Sequence, residues 1–182
     1  MMAINDVQAK VASFGWTELR ELWRRVAHGD TPGWAAGEAL EYLVLRAFEL
    51  DGAEVRWPYE VVFEDEVLEQ IDGAVYVDGL SCLIECKDVS SPVNVAPIAK
   101  MRNQLLRRPA GTTGLMFSRA GYTAPALALA RHLAPQCMLL WFPAEIEHAV
   151  RQEGIRELLR EKYRRCVEDG VADHHLELVR MP

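Results

Sequence analysis

Two runs of β-forming residues, 71–77 and 80–87, are separated by Asp78-Gly79, and no other feature of the chain constrains its fold so tightly. A two-residue loop of this composition favours a turn with positive φ at both positions, whose twist matches that of the flanking strands. It sets Val77 opposite Leu80, and because side chains alternate with a period of two, the register of the whole hairpin follows. Gly73 then faces Ile84, and Asp72 falls opposite Glu85. Val75, Val77, Cys82, Ile84 and Cys86 point to one wholly apolar face, while Lys87 shares the other face with Glu85.

Around this hairpin the chain reads as an α/β sandwich. Helices are expected over 17–28, capped by Thr17, and over 34–50, with Leu40, Leu43, Val44, Ala47 and Phe48 as its apolar stripe. A β stretch over 54–63 bends at Pro58 and leads to an acidic turn of Glu64, Asp65 and Glu66. After the hairpin come a helix over 94–108, a strand over 114–118, a helix over 123–133 capped by Thr123, and a strand over 137–142. That succession describes helices packed on both sides of a central mixed sheet. One or two amphipathic helices follow, with a loosely ordered tail from Gly170. The expected organisation is an N-terminal helical extension (1–33), an α/β core (34–145), and a C-terminal helical extension with tail (146–182).

With 182 residues, 50% of them hydrophobic and 26% charged, the chain can bury one sizeable core without metal or disulfide staples. No apolar run approaches the roughly 18 residues of a membrane span, so no membrane partner and a cytoplasmic location are expected. Four cysteines are too few for a disulfide scaffold, and Cys82, Cys86 and Cys137 read as reduced core thiols. A net charge of -7 excludes coating nucleic acid by bulk charge. Locally the balance reverses, because residues 89–144 contain no acid while Lys100, Arg102, Arg107, Arg108, Arg119 and Arg131 supply six positive charges. Such a segment marks either a phosphate-binding face or a helix pair whose acidic partners lie elsewhere.

The chemistry is expected where Asp72 meets Glu85. Carboxylates directly opposite across a hairpin, with Cβ atoms about 4.5–5.5 Å apart, repel one another and need a positive offset. A hard divalent cation, Mg2+ or Mn2+, suits two converging carboxylates together with the neighbouring main-chain carbonyl of Cys86. Lys87 beside them is placed to hold or polarise a metal-bound water. The bland alternative is a solvated Glu85–Lys87 pair with Asp72 as a turn residue. On the helix over 34–50, Glu41 lies at the margin of the apolar stripe and can look into the sheet, whereas Glu38 turns toward solvent. The same register brings Gln70 opposite Lys87. The five histidines show no ligand spacing, and no phosphate loop, nucleophile elbow or zinc-protease helix is present.

The segment Ile71-Asp72-Gly73-Ala74, the hairpin, and then Leu83-Ile84-Glu85-Cys86-Lys87 resembles the PD-(D/E)xK nuclease superfamily, in particular its Mrr-like restriction endonuclease branch. Gly37-Glu38-Ala39-Leu40-Glu41 resembles the branch's opening helix, and Phe117-Ser118-Arg119-Ala120-Gly121-Tyr122-Thr123 the segment leading into its alanine-rich helix. The resemblance covers about 34–145 and departs at Ile71, where the pattern has proline. It implies a restriction-endonuclease-like α/β/α sandwich with a central mixed sheet and a Mg2+-dependent endonuclease acting on DNA. The implied site is Asp72, Glu85, Lys87 and Glu41, with Mg2+ (or Mn2+) held by Asp72, Glu85 and the Cys86 carbonyl. Lys100, Arg102, Arg107 and Arg108 are the expected phosphate contacts, joined by Gln104, although Arg107 and Arg108 equally suit a helix C-terminus. Relatives in this superfamily often act as dimers and beside a separate recognition domain, so a homodimer or a separate recognition subunit is the implied partner. The rival readings are a catalytically silent nucleic-acid-binding or assembly subunit on the same fold, and an RNA-processing nuclease.

Overall fold

The computed structural model describes residues 4–132 and 137–175. Its organising element is the hairpin of β4 (Gly73–Val77) and β5 (Leu80–Lys87), which turns through Asp78 and Gly79 at φ 51° and 80°. Both turn residues have positive φ, and the pairs run from Val77↔Leu80 to Gly73↔Ile84 in the register counted from the turn. β1 (Glu54–Arg56) pairs antiparallel with β4, while β6 (Thr112–Ser118) and β7 (Met138–Trp141) extend the sheet in parallel beyond β5. The result is a five-stranded mixed sheet of order β1-β4-β5-β6-β7.

Helices cover both faces. On one side lie α2 (Trp16–His28), α3 (Glu38–Leu50), α6 (Pro143–Gln152) and α7 (Ile155–Asp169), joined through a single buried cluster with Val75, Val77, Cys82, Ile84 and Cys86. On the other, α4 (Val95–Leu106) and α5 (Ala124–Arg131) bury Ile98, Met101, Leu105 and Ala126 against Leu83, Met116 and Leu140. The helix starts follow local chemistry. Asn94 Oδ1 accepts from Ala96 N–H at 3.0 Å, and Thr123 caps α5 ahead of Pro125.

Several elements depart from expectation. α2 is capped at Gly15, whose N–H donates to the Glu18 carboxylate at 2.9 Å, and Thr17 lies inside the helix. α3 begins at Glu38 rather than residue 34 because Gly37 takes a left-handed φ of 87°, which a side chain would resist. An unanticipated α1 (Ile4–Ala12) docks Val7 and Val11 on Tyr42. The β stretch over 54–63 is broken at Trp57-Pro58 into β1 and β2 (Tyr59–Phe63), and β2 pairs with β3 (Glu66–Ile71) in a separate two-stranded ribbon. The chain therefore leaves the central sheet at Asp72, so Gln70 lies opposite Glu60 and not Lys87.

The end of the helix expected over 123–133 and the tail over 176–182 lie partly or wholly outside the described residues. Beyond Gly170, the segment up to His175 is fastened rather than loose. Leu140 N–H on the outer strand donates to Ala172 O at 3.1 Å, and Asp173 forms a paired hydrogen bond with Arg131. The Lys162 ammonium, 1% exposed, reaches both Glu145 and the His174 carbonyl at 2.7 Å, since a buried ammonium must find acceptors. All four cysteines are free thiols; Cys82 and Cys86 are buried, and Cys137 is half-buried.

Gly73 is where the sheet and α3 meet most closely. A Cβ there would lie 2.5 and 2.9 Å from the Leu45 methyls and 3.0 Å from Arg56 O. Gly73→Ala is therefore expected to destabilise by about 1–3 kcal/mol, seen as a lower urea midpoint at unchanged m-value.

Candidate active site

Because β4 ends at Gly73, the last three residues of β5 keep a neighbour only on the β6 side, where Glu85, Cys86 and Lys87 pair with Met116, Phe117 and Ser118. A buried amide beyond the end of the ladder needs another acceptor. Asp72 supplies it, with Oδ2 accepting from Cys86 N–H at 2.7 Å. The break in pairing thus draws the Asp72 carboxylate onto the end of β5, beside Glu85, although the two are not a ladder pair.

Glu85 is 1% exposed, and a buried carboxylate is tolerated only when charge and hydrogen bonds offset its desolvation. Two lysines do so. Lys87 Nζ contacts Oε1, and Lys100 Nζ, arriving from α4, straddles the carboxylate at 3.1 Å from Oε1 and 3.0 Å from Oε2. Burial disfavours the Lys87 ammonium, but Glu85 more than offsets this and its pKa stands above the ordinary lysine value.

Glu41 sits one turn into α3, its Oε1 3.4 Å from where a Cβ on Gly37 would stand. Burial pushes its pKa up to about 8, helped by Asp72 and Glu85 and opposed by Lys87, so it belongs to the same charge cluster. Glu38 is used differently, accepting Ala35 N–H at 3.0 Å ahead of the helix. Asp72 is raised to about 6 by burial and by Glu85, against the pull of the Cys86 N–H and the two lysines.

The residues expected to contact phosphate are distributed otherwise. Arg107 and Arg108 both clasp Glu69 on β3, whose side chain is 7% exposed, and Arg108 also donates to Gln104 O at 3.1 Å near the helix end. They anchor the β2–β3 ribbon to α4. Gln104 is buried, lining a groove of about 690 Å³ between α4 and β3. Arg119 pairs with Asp88, and Arg131 with Asp173. Five of the six cations of the acid-free segment thus have carboxylate partners from outside it, and of the six Arg102 alone has no ion pair to a described residue. Acids supplied by neighbouring elements pair with most of the segment's positive charge. The pairing of Lys100 with Glu85 was missed by sequence reasoning. Its only signal is a lone lysine on an acid-free helix packed beside an acidic strand end.

Among the described residues no three His, Cys, Asp or Glu side chains converge as metal ligands. The oxygen donors brought together at the strand end are the Asp72 and Glu85 carboxylates. Chemically the pair suits Mg2+ or Mn2+, which take one or two carboxylates and retain several waters.

No protein-family model matches the sequence, and no curated protein is similar to it. Among solved structures, the fold is similar to that of AF1548, a protein of unknown function, at 22% identity and a TM-score of 0.50 over 68% of this chain and 65% of that one. It is also similar to the restriction endonuclease FokI, at 14% identity and a TM-score of 0.50 over 89% of this chain. The chain spans just under two thirds of the first neighbour and 33% of FokI. The mixed sheet, its flanking helices and these neighbours define a restriction-endonuclease-like fold. No helix among the described residues is long and apolar enough to cross a membrane.

The raised pKa of Glu41 has a consequence for stability. The folded chain holds a proton there up to about pH 8, whereas the unfolded chain loses it near 4.5, so folding stability falls as pH rises through that window. Glu41→Gln removes this penalty. Its melting temperature is expected to exceed the wild type's by roughly 5 °C at pH 8 and to converge with it at pH 4.5, as read by thermal unfolding monitored by circular dichroism.

Proposed function

We propose that the protein is a metal-dependent nuclease that hydrolyses DNA phosphodiester bonds endonucleolytically, of the Mrr-like restriction kind. The observation that carries this reading is the meeting of Asp72, Glu85 and Lys87 where β4 stops and β5 continues, in a fold similar to that of a restriction endonuclease. Asp72 and Glu85, with the Cys86 carbonyl, would hold Mg2+ or Mn2+. When bound, such an ion supplies Lewis-acid stabilisation of charge on the phosphoryl oxygens and acidifies a water.

The remaining steps belong to this chain's own groups. With its pKa above the ordinary value, Lys87 is an ammonium at neutral pH, so it acts by donating hydrogen bonds to the attacking water and to developing negative charge. Glu41, which burial keeps protonated at neutral pH, is suited to contact and orient water at the site rather than to take up its proton. Asp72 is oriented by the Cys86 amide and so remains aimed at the strand end. Because Arg107 and Arg108, just after α4, are engaged with Glu69, we assign recognition of a particular site to a second copy or a separate recognition subunit.

The test is cleavage of supercoiled plasmid, methylated and unmethylated, with Mg2+ or Mn2+. Wild type is expected to cut and to stop on chelation. Lys87→Ala and Asp72→Asn are expected to lose activity by at least about 100-fold with unchanged circular dichroism. Cleavage that survives both substitutions would sink the assignment. Preferential degradation of RNA in a mixed-substrate competition would move the activity to RNA.

A further inference from the structure

Lys100, expected from the sequence only as a phosphate contact, is the cation at the strand end that the catalytic steps above do not use. Its ammonium lies within 3.1 Å of both oxygens of Glu85, a carboxylate that Lys87 already contacts. The two lysines are held very differently. Lys87 is fixed by the strand that carries Glu85 itself, and its side chain is 28% exposed. Lys100 reaches over from α4 and is 47% exposed. Its side chain also lines the open groove shared with Gln70, Asn103, Gln104 and Arg107. A compact ammonium on a flexible four-carbon stem can leave one acceptor for solvent at little cost.

We propose that Lys100 is the resident counter-ion of Glu85, occupying the carboxylate until a divalent cation displaces it into the groove. The inference rests on the metal-dependent reading above. Charge gives the reason for displacement. Asp72, Glu85 and Glu41 face two ammonium groups, so the cluster is at most one charge negative. A divalent ion entering on Glu85 beside both lysines would leave it net positive, with three cations crowded on the same pair of oxygens. Release of the more exposed lysine removes that conflict, since Lys87 alone still offsets one charge. The released ammonium then stands at the mouth of the groove, next to the strand end, where an anionic substrate would approach. Lys100 is on this account a positioning residue that sets how readily the site loads.

The experiment is calorimetric titration of MnCl2 into the full chain at fixed pH and ionic strength, comparing wild type, Lys100→Gln and Lys100→Arg. Lys100→Gln is expected to bind Mn2+ about tenfold more tightly than wild type, because no cation must be displaced. Lys100→Arg, which keeps a cation, is expected to restore near-wild-type affinity. A second readout uses wild type alone and so does not depend on the variants folding. Acetylation of Lys100 by a soluble acylating reagent, mapped by mass spectrometry, is expected to accelerate several-fold on Mn2+ saturation while Lys10 is unaffected. Equal or weaker Mn2+ binding by Lys100→Gln, or Lys100 acetylation indifferent to Mn2+, overturns the proposal and leaves metal binding standing. Failure of wild type and both variants to bind Mn2+ overturns the metal-dependent reading together with it.

Discussion

A carboxylate buried to 1% exposure at the end of a central strand is the constraint around which this molecule is arranged. Glu85 cannot be left unpaired, because an isolated charge at such a position costs several kcal/mol. Its needs determine what surrounds it. Lys87 must follow on the same strand face, α4 must deliver Lys100 across the sheet, and the ladder must stop at Gly73 so that Asp72 can turn in and take the Cys86 amide. Gly73 in turn must lack a side chain, since α3 and the main chain of β1 close over it. Packing, register and electrostatics therefore meet at a few adjacent residues.

The same logic extends along the α4–β6–α5 half of the protein. That half contributes six cations and no acid, yet it is not a free basic surface. Glu85, Glu69, Asp88 and Asp173 each reach into it from another element. Two of these bonds fasten parts that lie outside the central sheet: Glu69 ties down the β2–β3 ribbon, and Asp173 helps tie down the segment after α7. Partly buried ion pairs of this kind contribute more to geometry than to net stability. Here they fix where the ribbon stands relative to the strand end, and hence the shape of the groove beside Glu85.

How much of this was legible in the sequence depended on whether the determining interaction was local. The Asp78-Gly79 turn is local, and it set five ladder pairs and the apolar face of β5 by counting alone. The cap at Thr123 was legible for the same reason. Counting failed one residue past Gly73, because the turn constrains the strands only while they stay paired, and the chain leaves the sheet at Asp72 to build a second ribbon. That exit is visible only in three dimensions, and it moved Gln70 away from Lys87. The partners of the cations in the acid-free segment were illegible because each lies between 15 and 42 residues away in sequence. Charge counting could detect the asymmetry of the segment but could not say whether a ligand or the protein itself would satisfy it.

The stability of the site bears on whether it is kept for catalysis. Glu41 and Asp72 are both held above their ordinary pKa by burial and by mutual repulsion, so at neutral pH the folded state is weakened by the groups it has gathered. Nothing in the packing requires this. The apolar cluster between α3 and the sheet is complete without the Glu41 carboxylate, and a neutral side chain at residue 72 could accept the Cys86 amide as well. A chain that used this fold only as an assembly surface would be more stable with those charges removed. Local conflicts that persist in an otherwise consistent fold mark functional sites. By that criterion the conflict lies at the end of β5 and not where Arg107 and Arg108 meet Glu69, whose charges are matched.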